Sequence, residues 1–141
     1  HDGQAWLQDS LEILIDPLGT REVSYHFIFN PVADSYYEGA RGLIRDPLHP
    51  KFGQEDAQWN GKWSYQTRRE GSRWLALVTI PFAAFGQTGP ASGTQWTLNV
   101  ARQSYYSPKM KWQGETGLWS PNLENMFIDR NLEAFGTAIF Q

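Results

Sequence analysis

The chain is predicted to be all-β, an antiparallel β-sandwich with jelly-roll or immunoglobulin-like layers and two long loops. Three observations predict this. Short runs alternate apolar and polar residues with the two-residue period of a strand. Gly, Pro and Asp clusters separate these runs at hairpin spacing. No stretch carries helical periodicity over a useful length, and two excursions, 32–61 and 104–134, carry little periodicity of either kind. With 141 residues, the chain fits one domain, 1–141, large enough to bury a core.

The elements follow in order. After a polar lead-in that bears Trp6, the run S-L-E-I-L-I at 10–15 reads as a strand with Leu11, Ile13 and Ile15 on one face and Glu12 on the other. D-P-L-G at 16–19 is a turn signal, and V-S-Y-H-F-I-F-N at 23–30 is a second strand that Pro31 ends, so the two form a hairpin. W-S-Y-Q-T-R-R at 63–69 turns through E-G-S into the apolar run beginning at Trp74, the clearest hairpin in the chain. Both sides of that last run are apolar, which predicts a strand inside a packed sheet and not at a wet surface. Pro81 stops it, and 82–85 has room for one helical turn before Gly86. W-T-L-N-V-A-R at 96–102 alternates cleanly, with Trp96, Leu98 and Val100 facing one way and Asn99 the other. F-G-T-A-I-F at 135–140 is a closing strand.

Composition narrows the function. A net charge of -3 argues against a general nucleic-acid binder. Zero Cys excludes disulfides, thiol catalysis and thiolate metal sites. No run of about 18 apolar residues exists to span a membrane. His1 in place of an initiator Met reads as a processed or excised piece. The outlier is aromatic content, 15% of the chain with seven Trp; a core can use many of these, and a domain this rich in Trp often spends some on ligands. Trp74 and Trp96 read as core because their strands are apolar around them.

Seven pieces occur in order: D-S-L-E-I-L-I-D-P at 9–17, Y-H-F-I-F-N-P at 25–31, N-G-K-W at 60–63, W-x5-I-P-F at 74–82, W-x2-N-x2-R at 96–102, W-S-P at 119–121 and F-G-x3-F at 135–140. Together they resemble the family 9 carbohydrate-binding modules and the wider DOMON-like sandwich group, over nearly the whole chain. Members of that family carry several strands before the D-S-x-E segment. The resemblance therefore implies that 1–141 is the C-terminal portion of a larger domain, that another chain or segment completes the sheet, or that this version is shorter. Leu77 stands where a carboxylate is common, and Ile128 where a His is.

The function implied is non-catalytic binding of a mono-, oligo- or polysaccharide, as a module of a larger extracellular or periplasmic polysaccharide-active or surface protein. A sugar offers an apolar C–H face to a flat aromatic ring and a rim of hydroxyls to bidentate polar groups. Carried over residue by residue, the aromatic platforms match Trp6 and Phe127, with Trp112 or Trp119 as replacements for the second. The rim groups match Glu12 and Asn99, with Arg41 as the basic residue. Alternation independently puts Glu12 and Asn99 opposite the main apolar sets of their strands. Each has a plainer reading too: Trp6 and Phe127 as packing, Glu12 as partner to Arg102 or a backbone amide, Asn99 as satisfaction of a strand edge. For Arg102, an ion pair with Asp9 or Glu12 and a ligand role both stay open.

No cofactor is required. Structural calcium is an expectation of the resemblance, with Asp9, Asp16, Asp46 and Asp56 as oxygen donors. Nothing in the sequence pairs two carboxylates for glycoside hydrolysis or sets a His in a nucleophile context, so the chain reads as not an enzyme. The alternatives are a DOMON-like redox domain holding haem b through Met110 or Met126 with His26 or Lys109, and a structural or assembly domain whose sheet edge accepts a strand.

Overall fold

A computed structural model describes residues 5, 9–31, 35–105, 114–121 and 131–141. These residues build an all-β, wholly antiparallel fold, with two short 3-10 turns in place of any longer helix. The strands are β1 (Ser10–Asp16), β2 (Ser24–Phe29), β3 (Tyr36–Arg41), β4 (Glu55–Asp56), β5 (Ser64–Glu70), β6 (Arg73–Thr79), β7 (Gln95–Tyr105), β8 (Gly114–Leu118) and β9 (Gly136–Ile139). Seven of them form one sheet in the order β4-β3-β2-β1-β7-β8, with β9 also paired to β7, and β5–β6 form a second, two-stranded sheet.

The predicted hairpins are present. β1 and β2 pair with Leu11 opposite Phe29 and Ile15 opposite Tyr25. The turn between them is held by Asp16, whose carboxylate accepts the Leu18 N–H at 2.9 Å and the Arg21 N–H at 2.6 Å while Gly19 takes a φ of 65°. Arg21 then donates to the carbonyls of Leu132 and Glu133, each at 2.7 Å, tying this turn to the segment that leads into β9. β5 and β6 pair over their full length. Phe82–Phe85 is a 3-10 turn, closed by Gly86 at φ 70°.

Both long excursions contain strands that lack a clean alternation. β3, Y-Y-E-G-A-R, carries Glu38 on the apolar side and Gly39 on the other. Gly39 is required there because a Cβ would collide with the Glu55 carboxylate and the Tyr37 hydroxyl. β4 is two residues long and β8 is G-E-T-G-L, too short and too polar to read as strands in isolation.

Register sorts the seven-stranded sheet into two faces. The inner face carries Ile13, Ile15, Tyr25, Phe27, Phe29 and Trp96, and packs against the β5–β6 layer and the Phe82–Phe85 turn. Phe27 and Phe29 are fully buried, with Trp63 edge-on to Phe27 at 5.1 Å and Tyr65 stacked on Phe29 at 4.7 Å. Phe85 meets both Tyr25 and Trp96 edge-on. Trp96 is core, as its alternation requires; the Trp74 ring lies outside the described side chains. The opposite face carries Glu12, Leu14, Asp16, His26, Thr97, Asn99 and Ala101, with a small apolar cluster of Leu14, Ala101 and Phe135.

One expectation fails. β6 is not inside a packed sheet: among the described residues it pairs only with β5, and Leu75 and Leu77 are 45% and 65% exposed. Leu75 and Leu77 point away from the first sheet, and among the described residues no further layer packs over that outer side.

Candidate functional site

The polar cluster on the outer face is assembled by four strands. Glu12 sits on β1, His26 on β2, Tyr37 and Arg41 on β3, and Glu55 on β4. His26 lies opposite Leu14 on one side and Gly39 on the other, so its imidazole emerges between two neighbouring strands with room made by the missing Cβ. Its Nδ1 is 3.2 Å from Glu55 Oε1, and its Nε2 is 3.4 Å from Glu12 Oε2. The first is a hydrogen bond; the second is an ionic contact at the limit of hydrogen-bond length. Tyr37 donates its hydroxyl to Glu55 Oε1 at 2.7 Å. Arg41 lies 3.5 Å from Glu55 Oε2 and donates to the Gly53 carbonyl at 2.6 Å.

These groups are well shielded, with side-chain exposure of 9% for Glu12, 10% for His26, 15% for Glu55 and 27% for Arg41. Burial drives His26 towards its neutral form, but the close contacts and charges of Glu12 and Glu55 outweigh it and raise the imidazole to about 9. The ring is therefore cationic at neutral pH. Burial likewise pushes Glu55 upward, and His26, Tyr37 and Arg41 overcome that and hold its carboxyl below the ordinary glutamate range. The result is two carboxylates compensated by two cations, with Arg41 the most exposed member of the salt-bridged set. Chemically, such an arrangement holds carboxylate and guanidinium groups in fixed positions, as bidentate recognition of hydroxyl pairs requires.

The sequence-derived residues divide across the molecule. Glu12 and Arg41 come together, linked through His26 and Glu55. Trp6 and Phe127 lie outside the described residues, as does Trp112. Asn99 shares the outer face but is 1% exposed. Its Nδ2 donates to the Ser120 carbonyl and its Oδ1 accepts the Ser120 N–H, both at 2.9 Å, which pins the corner where β8 ends. Trp119 is 58% exposed on the inner face, its ring lying against Gly136, where a Cβ would come within 2.5 Å of it. Arg102 is exposed on the inner face, opposite Leu11, so it cannot pair with Glu12 on the other side of the sheet.

Of the calcium candidates, Asp16 is fully buried and committed to its turn, while Asp46 and Asp56 each accept a backbone N–H, from Leu48 and Gln58. Asp9 is exposed. The described residues contain no group of three His, Cys, Asp or Glu side chains placed to share a metal. His26, a haem-ligand candidate, has both ring nitrogens turned to carboxylates; Lys109, Met110 and Met126 lie outside the described residues. Tyr37 is the member of the cluster that sequence reasoning did not single out. Nothing local in the β2 sequence points from His26 to Glu55, which is 29 positions away.

No family profile matches the chain, and no curated protein matches it. Among solved structures it is similar to the crystal structure of a "putative carbohydrate-binding protein" from Bacteroides uniformis, with a TM-score of 0.70 at 20% identity. The match covers 99% of this chain and 64% of that one, so the chain spans less than two thirds of the neighbour's length. At that identity the likeness establishes the fold.

Proposed function

We propose that this chain is a non-catalytic carbohydrate-binding module of the family 9 or DOMON-like type, serving a larger extracytoplasmic polysaccharide-active or surface protein. The observation that carries the reading is the fold match over 99% of the chain to the Bacteroides uniformis protein. It agrees with the ordered resemblance to family 9 modules. In this reading the sugar lies against the outer face of the seven-stranded sheet. Arg41 and Glu12 address its hydroxyls, and Trp6, with Phe127 as the second ring, stacks on its C–H face. His26, Glu55 and Tyr37 hold the two rim groups in place.

No helix among the described residues is long and apolar enough to cross a membrane. A structural calcium stays part of the proposal, to be tested by the change in melting temperature on adding EDTA and then calcium. The functional test is a glycan array followed by calorimetry, on the wild type and on Trp6→Ala. Binding of a mono-, oligo- or polysaccharide at millimolar concentration or below is expected, weakened at least tenfold by Trp6→Ala. Absence of any saccharide ligand overturns the function, and equal binding by the variant overturns the platform.

A further inference from the structure

Water reaches the members of the outer-face cluster unequally. Glu12, His26 and Glu55 keep side-chain exposures of 9%, 10% and 15%, while Arg41 keeps 27%. A ligand meets this set where it is most open, at the β3–β4 margin. There Arg41 is anchored to the loop that joins the two strands, its Nη1 donating to the Gly53 carbonyl at 2.6 Å. The residue before Gly53 is Phe52, an aromatic side chain that is 50% exposed. Phe52 belongs to neither apolar core cluster, and among the described residues its ring meets no other ring. A flat ring open to water beside a fixed guanidinium supplies what a pyranose needs, a stacking face and hydrogen-bond donors.

The loop is built to hold that ring still. Residues 46–54 run through consecutive reverse turns: the His49 N–H donates to the Asp46 carbonyl at 3.1 Å, Phe52 to His49 at 2.9 Å, and Gln54 to Lys51 at 3.1 Å. Side chains close the same turns. Asp46 Oδ1 accepts the Leu48 N–H at 2.9 Å, His49 Nδ1 accepts the Lys51 N–H at 3.1 Å, and Gln54 Nε2 donates to the Pro50 carbonyl at 3.3 Å. Pro47 and Pro50 fix further backbone angles. At the base of the loop Arg45 pairs with Glu22 at 2.6 Å. Joining two strands does not require such bracing. Presenting a side chain to a ligand gains from it, because ordering is completed on folding and does not oppose binding.

We propose that Phe52 is an aromatic platform of the saccharide site, with the C–H face of a pyranose on its ring and hydroxyls of the same oligosaccharide on Arg41. This assignment rests on the carbohydrate reading above and adds to it a residue and a location. The ligand lies across the β3–β4 margin and the 46–54 loop. Leu48, 92% exposed on the same loop, has no flat face to offer a sugar. A protein partner grasping the loop would use Leu48 at least as much as Phe52; a sugar would not.

The test titrates cello-, xylo-, manno- and galacto-oligosaccharides, up to millimolar concentration, into the wild type, Phe52→Ala, Phe52→Trp and Leu48→Ala, each shown to be folded by its melting transition. For an oligosaccharide that binds the wild type, Phe52→Ala is expected to weaken binding about tenfold, while Leu48→Ala stays within about twofold and Phe52→Trp binds at least as well as the wild type. In the wild type the ring resonances of Phe52, assigned by their loss in Phe52→Ala, are expected to shift on saturation with that sugar. Equal affinity of Phe52→Ala and the wild type, or ring resonances that do not move, overturns the proposal and leaves the carbohydrate reading standing. An equal loss in Phe52→Ala and Leu48→Ala overturns it as well, since the loop then acts through its shape and not through the ring. A wild type that binds no saccharide overturns both.

Discussion

On the inner face of the seven-stranded sheet, Phe27 and Phe29 are buried among the rings of Trp63, Tyr65 and Phe85; on the outer face, a few residues along the same strands, His26 is buried between two carboxylates. The two regions use the same backbone and opposite physical chemistry. The aromatic face is stabilised by area removed from water and by edge-to-face ring geometry, neither of which depends on protonation. The charged face is stabilised only while each member keeps its partner, because an isolated charge there meets the full cost of desolvation. The aromatic face should therefore tolerate pH and fail on truncation, and the charged face should fail on both.

Breaking the aromatic side gives the largest expected effect. Phe27→Ala empties a fully buried site and is expected to cost about 3–5 kcal/mol, measured by urea denaturation, with the loss unchanged between pH 6 and pH 9 by order-of-magnitude expectation. His26→Leu removes the cation between Glu12 and Glu55 and is expected to cost about 3 kcal/mol or more. That loss should shrink as pH rises, since the wild type loses the same cation.

The sign of this pH dependence follows from the two shifted groups. His26 is raised from 6.5 to about 9 on folding, so its stabilisation is complete below its ordinary value and disappears as pH rises through 9. Glu55 is lowered from 4.5, so its contribution is present above that value and disappears as the medium is acidified through its folded value. The melting temperature of the wild type should decline at both limits. In His26→Leu the alkaline decline through pH 9 should flatten, and an identical profile in wild type and variant would contradict the ion-pair account.

A smaller effect is expected at the corner between the faces. Asn99→Ala leaves the Ser120 N–H and carbonyl without their side-chain partner and should cost about 1–3 kcal/mol. It should leave sugar affinity unchanged if Asn99 acts only on that corner. A selective loss of affinity at full stability would restore it to the binding site.

Much of the architecture was legible from alternation alone. β1, β2, β5, β7 and β9 announce themselves through apolar residues at alternate positions, β6 through an unbroken apolar run, and the hairpins through the D-P-L-G and E-G-S turns. β3, β4 and β8 did not, because their sequences answer to neighbours and not to a solvent boundary: Gly39 yields space to Glu55, and Glu55 of β4 is held by His26 and Arg41. The site was less legible for the same reason. Parity placed Glu12 and Asn99 on the outer face, but whether a polar side chain meets a ligand or another part of the chain is decided by long-range contacts. Asn99 meets Ser120, Glu12 meets His26, and Trp119 turns to the face opposite both. The exposed side of β6 was misjudged because apolar composition reports what a strand could bury, not whether another layer lies over it.

The most direct measurement of the central claim is isothermal titration of the folded chain with a panel of neutral and acidic oligosaccharides, beside Arg41→Ala shown to remain folded at the titration temperature. Saturable binding of at least one oligosaccharide, weakened about tenfold by loss of a charge-assisted contact, is the predicted result. No heat of binding across the panel at millimolar sugar, from a chain shown to be folded, would contradict it.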